Sequence, residues 1–140
     1  MSARLEHANL LVRDIAASMR FLQTAFPEFR LRFDGREPGK RLQGTIQWVH
    51  FGTDETYIAL TQATREPQER WQPYAGIPGC NHLAFVVDDV AALQARMTAA
   101  GYRNSTPPNH HPYRTRVYFL DPDGNDWEFV QYHSDDPGKR

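Results

Sequence analysis

Three residues of this 140-residue chain have the types and places from which metal chemistry is built. His7 opens the stretch HANLLVRDIAAS, and His82 opens HLAFVVDDVAAL. Glu128 sits inside DWEFVQY between Trp127 and Phe129. Two imidazoles and one carboxylate are a sound donor set for Fe, Zn, Ni or Mn, and a two-histidine, one-carboxylate face with open positions is the non-haem Fe(II) arrangement. A cation would also compensate Glu128, because a lone buried carboxylate costs several kcal/mol. Each residue has an ordinary alternative. A lone strand histidine is usually a hydrogen-bonded core or surface residue, and a lone strand glutamate usually faces solvent. Two histidines at matching places in a repeat lift the metal reading.

The elements that must position them come in two similar runs. Residues 5–12 read as an apolar strand. Asp14 follows as a helix N-cap, with Ile15, Met19, Leu22 and Phe26 at helical spacing and Pro27 as the stop. LRFDGREPGKR reads as a turn and a polar loop. TIQWVHF, the turn GTDE and TYIALTQ read as a hairpin. Residues 64–79 have the charge and proline content of a connector. The pattern then restarts with the strand HLAFVV and a second N-cap, Asp89. Val90, Leu93 and Met97 follow at helical spacing, with Gly101 as the residue after the helix. NSTPPNHHPYR reads as a loop. TRVYFL, the turn DPDGN and DWEFVQY make a second hairpin.

The histidines, Val12 and Val87, Asp14 and Asp89, and paired alanines fall in register between the runs. This predicts an internal repeat of a βαβββ unit, over residues 3–63 and 78–133 of one domain spanning 1–140. One unit has too little core alone, so two should pack together in an α+β fold. If each sheet curls, His7, His82 and Glu128 can converge in one cavity.

Composition narrows the function classes. Sixteen Lys and Arg against seventeen Asp and Glu leave a net charge of −1, so no basic excess points to nucleic acid. The single cysteine, Cys80, cannot form an internal disulfide. The N-terminal stretch shows no signal-peptide pattern, and no apolar run is long enough to span a membrane. A soluble cytoplasmic protein with a small-molecule substrate is the expectation.

The two H…D strand–helix openings and the ending YFLDPDGNDWE resemble the vicinal oxygen chelate superfamily, which includes glyoxalase I, type I extradiol dioxygenases, fosfomycin-resistance enzymes and bleomycin-binding proteins. The resemblance covers nearly the whole chain. It implies paired βαβββ units with curled mixed sheets around a metal-binding cavity, and a homodimer. It also implies one divalent metal on His7, His82 and Glu128, with Fe(II) first and Mn, Zn or Ni as alternatives. Glyoxalase I-like members have a fourth ligand, a glutamate on the last strand of the first unit. Here the matching position is Ala59, which cannot ligate, and Glu55 lies at the preceding turn.

Within the family, NHHPYRTRVYFLDPDGNDWE resembles the extradiol dioxygenase signature at Asn109, His111, Val117, Tyr118, Asp121, Pro122, Gly124 and Glu128. That likeness implies His111 as acid/base and Tyr118 as hydrogen-bond donor to a substrate oxygen. Tyr118, ten residues before Glu128, shares its side-chain parity. His110 and His111 also read as plain surface loop residues, and typical extradiol enzymes are longer, with an additional pair of units. The phosphonate-binding Ser, Lys and Arg of the fosfomycin branch are unmatched, although Arg114 and Arg116 suit an anionic substrate. The bleomycin-binding branch usually lacks a complete metal set. His50 shares parity with Trp48 and reads as a structural or cavity-lining residue, while Trp71 and Tyr74 in the connector could cover the pocket or a subunit interface. The resulting expectation is an Fe(II) extradiol-type dioxygenase. The alternatives are a metal-dependent lyase, isomerase or thiol transferase, or a non-catalytic drug-binding protein.

Overall fold

The computed structural model describes residues 3–67 and 72–140, the side chains of Pro108 and His110 excepted. Trp71 lies outside the described residues. The chain divides into two units, residues 1–69 and 70–140.

In the first unit, β1 (His7–Val12) leads into α1 (Ile15–Ala25). The Asp14 carboxylate caps α1 by accepting the N–H of Ala17 at 3.1 Å, which satisfies one of the free donors of the first turn. Then come β2 (Arg30–Asp34), β3 (Trp48–Gly52) and β4 (Tyr57–Gln62). Their order in the sheet is β1-β4-β3-β2, with β1 parallel to β4 and the other pairs antiparallel. Alternation along the strands sends Val49, Phe51, Ile58 and Leu60 to the α1 side, where they are buried with Phe21 and Leu22.

The second unit repeats this plan. β5 (His82–Val86) leads into α2 (Val90–Ala99), capped by Asp89, which accepts the Ala92 N–H at 2.9 Å. Gly101 follows with φ +86°, a left-handed residue for which glycine is the natural choice. β6 (Asn104–His111), β7 (Arg114–Leu120) and β8 (Asp126–Tyr132) complete a sheet of order β5-β8-β7-β6, with β5 parallel to β8. Val117, Phe119, Trp127 and Phe129 turn toward α2 and are buried with Val90, Leu93 and Met97. Both sheets are mixed and curled, as expected of an α+β fold built from two βαβββ units.

Two stretches differ from the sequence reading. NSTPPNHHPYR reads as a loop, yet Asn104–His111 is a strand. β6 lies at the sheet edge, and its pairing with β7 slips between Thr106 and Asn109, around Pro107 and Pro108. An edge strand with irregular register tolerates residues that have no N–H to give. LRFDGREPGKR reads as a turn and loop, but its first four residues belong to β2. β2 is also an edge strand, and Arg30, Leu31 and Arg32 stay exposed there, which gives it a loop-like composition.

Candidate metal site

The paired strands set the second unit's polar side chains in rows on the sheet face away from α2. β8 brings Asp126 and Glu128 there, since Trp127 and Phe129 take the helix side. Parallel register sets His82 opposite Asp126 and Ala84 opposite Glu128. Antiparallel register sets Tyr118 opposite Glu128 and Arg116 opposite Val130. His82, Arg116, Tyr118, Asp126 and Glu128 therefore share one face.

Glu128 keeps only 7 % of its surface. Its Oε2 lies 3.1 Å from His82 Nε2, and its Oε1 lies 3.8 Å from Arg116 Nη1. Burial raises the pKa of the Tyr118 phenol, and its hydrogen bond to the Glu128 carboxylate raises it further. The phenol therefore keeps its proton at neutral pH. The His82 ring meets the Tyr118 ring edge-on at 5.9 Å.

The other nitrogen of His82 is also engaged. Its Nδ1 lies 2.8 Å from the Tyr74 hydroxyl, which donates to Asp126 Oδ2 at 3.1 Å. The second oxygen of Asp126 accepts from the Ser105 hydroxyl. Burial and the Asp126 carboxylate push the Tyr74 phenol up to about 12. Tyr74 has φ +63°, uncommon for a bulky side chain, and its N–H donates to Asn81 Oδ1 at 2.8 Å. Such backbone conformations cost about 1–3 kcal/mol and persist where surrounding contacts fix them.

The pair His82 and Glu128 fits a divalent cation. Two donors about 2.1 Å from one ion and at right angles to each other lie about 3 Å apart, close to the observed 3.1 Å. Imidazole and carboxylate suit Fe, Mn, Zn and Ni. Among the described residues no three His, Cys, Asp or Glu side chains gather into a fuller ligand group.

His7 occupies the matching place in the first unit. Its ring stacks on Tyr57 at 4.7 Å, and its Nδ1 lies 3.0 Å from Glu6 Oε2. Asn9 stands opposite Ala59 on β4, as Ala84 stands opposite Glu128 on β8. The register thus makes Ala59 the counterpart of Glu128, and this face carries no carboxylate there. His50 stands opposite Ala59, where the second unit has Tyr118. It packs against Tyr57, Trp48 and Phe33 at 4.4, 4.9 and 5.9 Å. Burial lowers the His50 pKa, and the Arg32 charge lowers it further.

His111 is placed elsewhere on the second sheet. It ends β6 opposite Arg114, four residues along β7 from Tyr118, a run of about 13 Å at strand rise. Its ring packs edge-on against Tyr113 at 5.5 Å, and its Nδ1 accepts the Tyr113 N–H at 3.3 Å. Arg114 and Arg116 each carry a buried Nε with no hydrogen-bond partner among the described residues.

Three residues of the His82 network are absent from the sequence-derived site. Asp126 had a signal, because it is two residues before Glu128 and so on the same face. Ser105 had none, since nothing periodic joins an edge-strand serine to β8, and Tyr74 read only as a connector residue that could cover the pocket or a subunit interface. Cys80 is exposed, and among the described residues no helix is long and apolar enough to cross a membrane.

Comparison with known proteins agrees with this architecture. A family model described as Glyoxalase/Bleomycin resistance protein/Dioxygenase superfamily matches residues 4–129. No curated protein sequence matches the chain. A glyoxylase/bleomycin resistance protein/dioxygenase domain from Frankia sp. EAN1pec is similar in structure, with TM-score 0.73 and 22 % identity over 95 % of this chain and 100 % of that one. A mutant of the fosfomycin resistance protein FosX from Listeria monocytogenes, complexed with Mn(II) and 1S,2S-dihydroxypropylphosphonic acid, gives TM-score 0.68 and 23 % identity over 92 % of each chain. TioX from Micromonospora sp. ML1 gives TM-score 0.64 and 22 % identity over 94 % of this chain and 98 % of that one.

Proposed function

Because the chain belongs to the glyoxalase/bleomycin resistance protein/dioxygenase superfamily, we propose that it is a divalent-metal-dependent enzyme acting on a small oxygen-chelating substrate. The first reaction to assign is extradiol-type ring cleavage with Fe(II). The observation that carries the reading is the His82–Glu128 pair, 3.1 Å apart and on one sheet face with Tyr118. These two residues would hold the cation. His7 joins them on repeat equivalence, from the same chain or from a second copy in a homodimer. The ion supplies Lewis-acid polarisation of chelating oxygens and, as iron, redox chemistry with dioxygen.

The chain's own residues supply the rest. The Tyr118 phenol donates its hydrogen bond to a substrate oxygen in place of Glu128. Arg114 and Arg116, half-buried on the same strand as Tyr118, pair with an anionic group on the substrate through their guanidinium groups. His111 serves as acid/base for a substrate that extends toward the hairpin end of the sheet.

A second reading keeps the metal and drops the oxygen. Likeness to a FosX solved with Mn(II) and a phosphonate favours a redox-inert ion and an anionic, phosphonate-like substrate at the same arginines. Anaerobic titration of metal-free protein with Fe(II), Mn(II), Zn(II) and Ni(II) tests the shared core. One tight site per chain is expected, weakened at least about 100-fold in Glu128→Ala, where a ligand is lost outright. Binding indifferent to Glu128 would sink both readings. Oxygen uptake with catechols then separates them. Under the first reading, His111→Ala slows uptake while leaving the ion bound.

A further inference from the structure

We infer that Tyr74 is a positioning residue that holds a proton on Nδ1 of His82, leaving Nε2 as the nitrogen offered beside Glu128. The inference rests on the metal reading for its purpose and on hydrogen-bond geometry for its substance.

The tyrosine hydroxyl has one proton and two neighbours, His82 Nδ1 at 2.8 Å and Asp126 Oδ2 at 3.1 Å. An ionised carboxylate only accepts hydrogen bonds, whereas imidazole nitrogen can accept or donate. Were the phenol to donate to Nδ1, its oxygen would face the carboxylate of Asp126 with no proton between them. Directing the proton to Asp126 removes that repulsion, and the phenol oxygen is then free only to accept. The group that donates to it is Nδ1–H. Asp126 is buried, with 4 % of its surface exposed, and its other oxygen is taken by Ser105. The chain of donors therefore runs in one direction, from His82 through Tyr74 to Asp126, with Ser105 holding the far end.

The consequence falls on Nε2. A metal-ligating histidine commonly donates its second N–H to an outer partner, which fixes both tautomer and ring orientation. Tyr74 meets that description from outside the strands. Its left-handed backbone and the bond from its N–H to Asn81 aim the phenol at His82.

The test uses ¹⁵N-histidine-labelled whole protein, with Tyr74→Phe in parallel. Tyr74 keeps 58 % of its surface, so the variant should fold, which circular dichroism checks. In metal-free parent protein, long-range ¹H–¹⁵N spectra should show His82 protonated at Nδ1, with a slowly exchanging downfield proton. In Tyr74→Phe that proton should disappear, and the neutral ring should move to the Nε2–H form, bonded to Glu128. Mn(II) affinity should fall about 10–100-fold. A parent whose neutral His82 carries its proton on Nε2 would overturn the assignment, as would a Tyr74→Phe variant with the parent's spectrum. If the parent shows Nδ1–H but takes up no Mn(II), Tyr74's hold on the ring stands and the metal reading is the one that fails.

Discussion

The two sheets share a backbone plan but differ in what their faces away from the helices are made of. In the second sheet, matching positions on three strands carry His82, Tyr118 and Glu128, with Asp126 and Arg116 on either side. In the first they carry His7, His50 and Ala59, with Tyr57 and Trp48 in the flanking places. One face is a set of charges and hydroxyls linked by hydrogen bonds. The other is a set of stacked rings, with the Arg32 guanidinium 4.4 Å from the centre of the Tyr57 ring. The remaining carboxylate of the first sheet, Asp34, is satisfied locally by a forked pair with Arg36 at 2.8 and 2.6 Å. Glu128 has no such fork: Arg116 reaches only to 3.8 Å, and its nearer partners are the His82 ring at 3.1 Å and the Tyr118 phenol. The same scaffold thus presents a polar face where a buried carboxylate stands beside an imidazole and a phenol, and an aromatic surface where that position is alanine.

The most disruptive way to break the contrast is to give the first sheet its missing acid. Ala59 keeps 3 % of its surface, and its neighbour across the strand pair is the His50 ring, which burial disfavours as a cation. Ala59→Glu should cost about 3–5 kcal/mol at neutral pH, the penalty of an unpaired buried charge, measured by urea unfolding. A variant of parental stability with a second tight Mn(II) site would show that the aromatic surroundings do not set the two faces apart.

A somewhat smaller effect is expected at the hairpin turns. Asp121 closes the β7–β8 turn by accepting from the N–H groups of Asp123 and Asn125, from Asn125 Nδ2 and from Trp127 Nε1, all within 3.1 Å. Thr53 holds the corresponding place in the β3–β4 turn, accepting from Glu55 and Thr56 N–H at 3.3 Å. Asp121→Ala should destabilise by about 2–4 kcal/mol, because it removes the carboxylate that accepts all of these hydrogen bonds at a buried turn. Thr53→Ala should lose about 0.5 kcal/mol. Equal losses would mean that the ionic sheet is not the more tightly closed of the two.

The smallest effect concerns Asp34. Its hydrogen bonds with Arg36 hold its pKa down at about 2 against an ordinary 3.8. Because the folded value is the lower one, the stabilisation is present above the ordinary value and is lost as pH falls through about 2. For a solvent-accessible pair it amounts to about 0.5–1 kcal/mol. Asp34→Asn should show that deficit at pH 7, and it should vanish in strong acid. A deficit that persists there would assign the loss to packing instead of charge.

The repeat was legible because its signals are local. Asp14 and Asp89 are followed by helical spacing, and the two histidines lie at one offset from these caps. The pairing of Ala59 with Glu128 followed from aligning the two closing strands, which the strand register repeats. β6 was hidden because two prolines and a polar composition read as loop, while its strand character comes from the neighbour it pairs with. The Tyr74–His82–Asp126–Ser105 chain was hidden for a related reason. Its members are brought together by a left-handed connector residue and by register across three strands, and neither leaves a periodic trace. His111 shows the converse, since a spacing that suits a motif did not bring the ring to the level of Tyr118.

The prolines of β6 have a bearing on how copies of this chain behave at high concentration. Pro107 and Pro108 lie on the outer strand of the second sheet, where its pairing already slips. Successive strand residues turn their N–H groups to opposite edges, so a strand arriving from another molecule would meet one missing donor and an edge out of step with its own spacing. Growth of the sheet by strand addition is therefore disfavoured on that side, by prolines and irregular register instead of by charge.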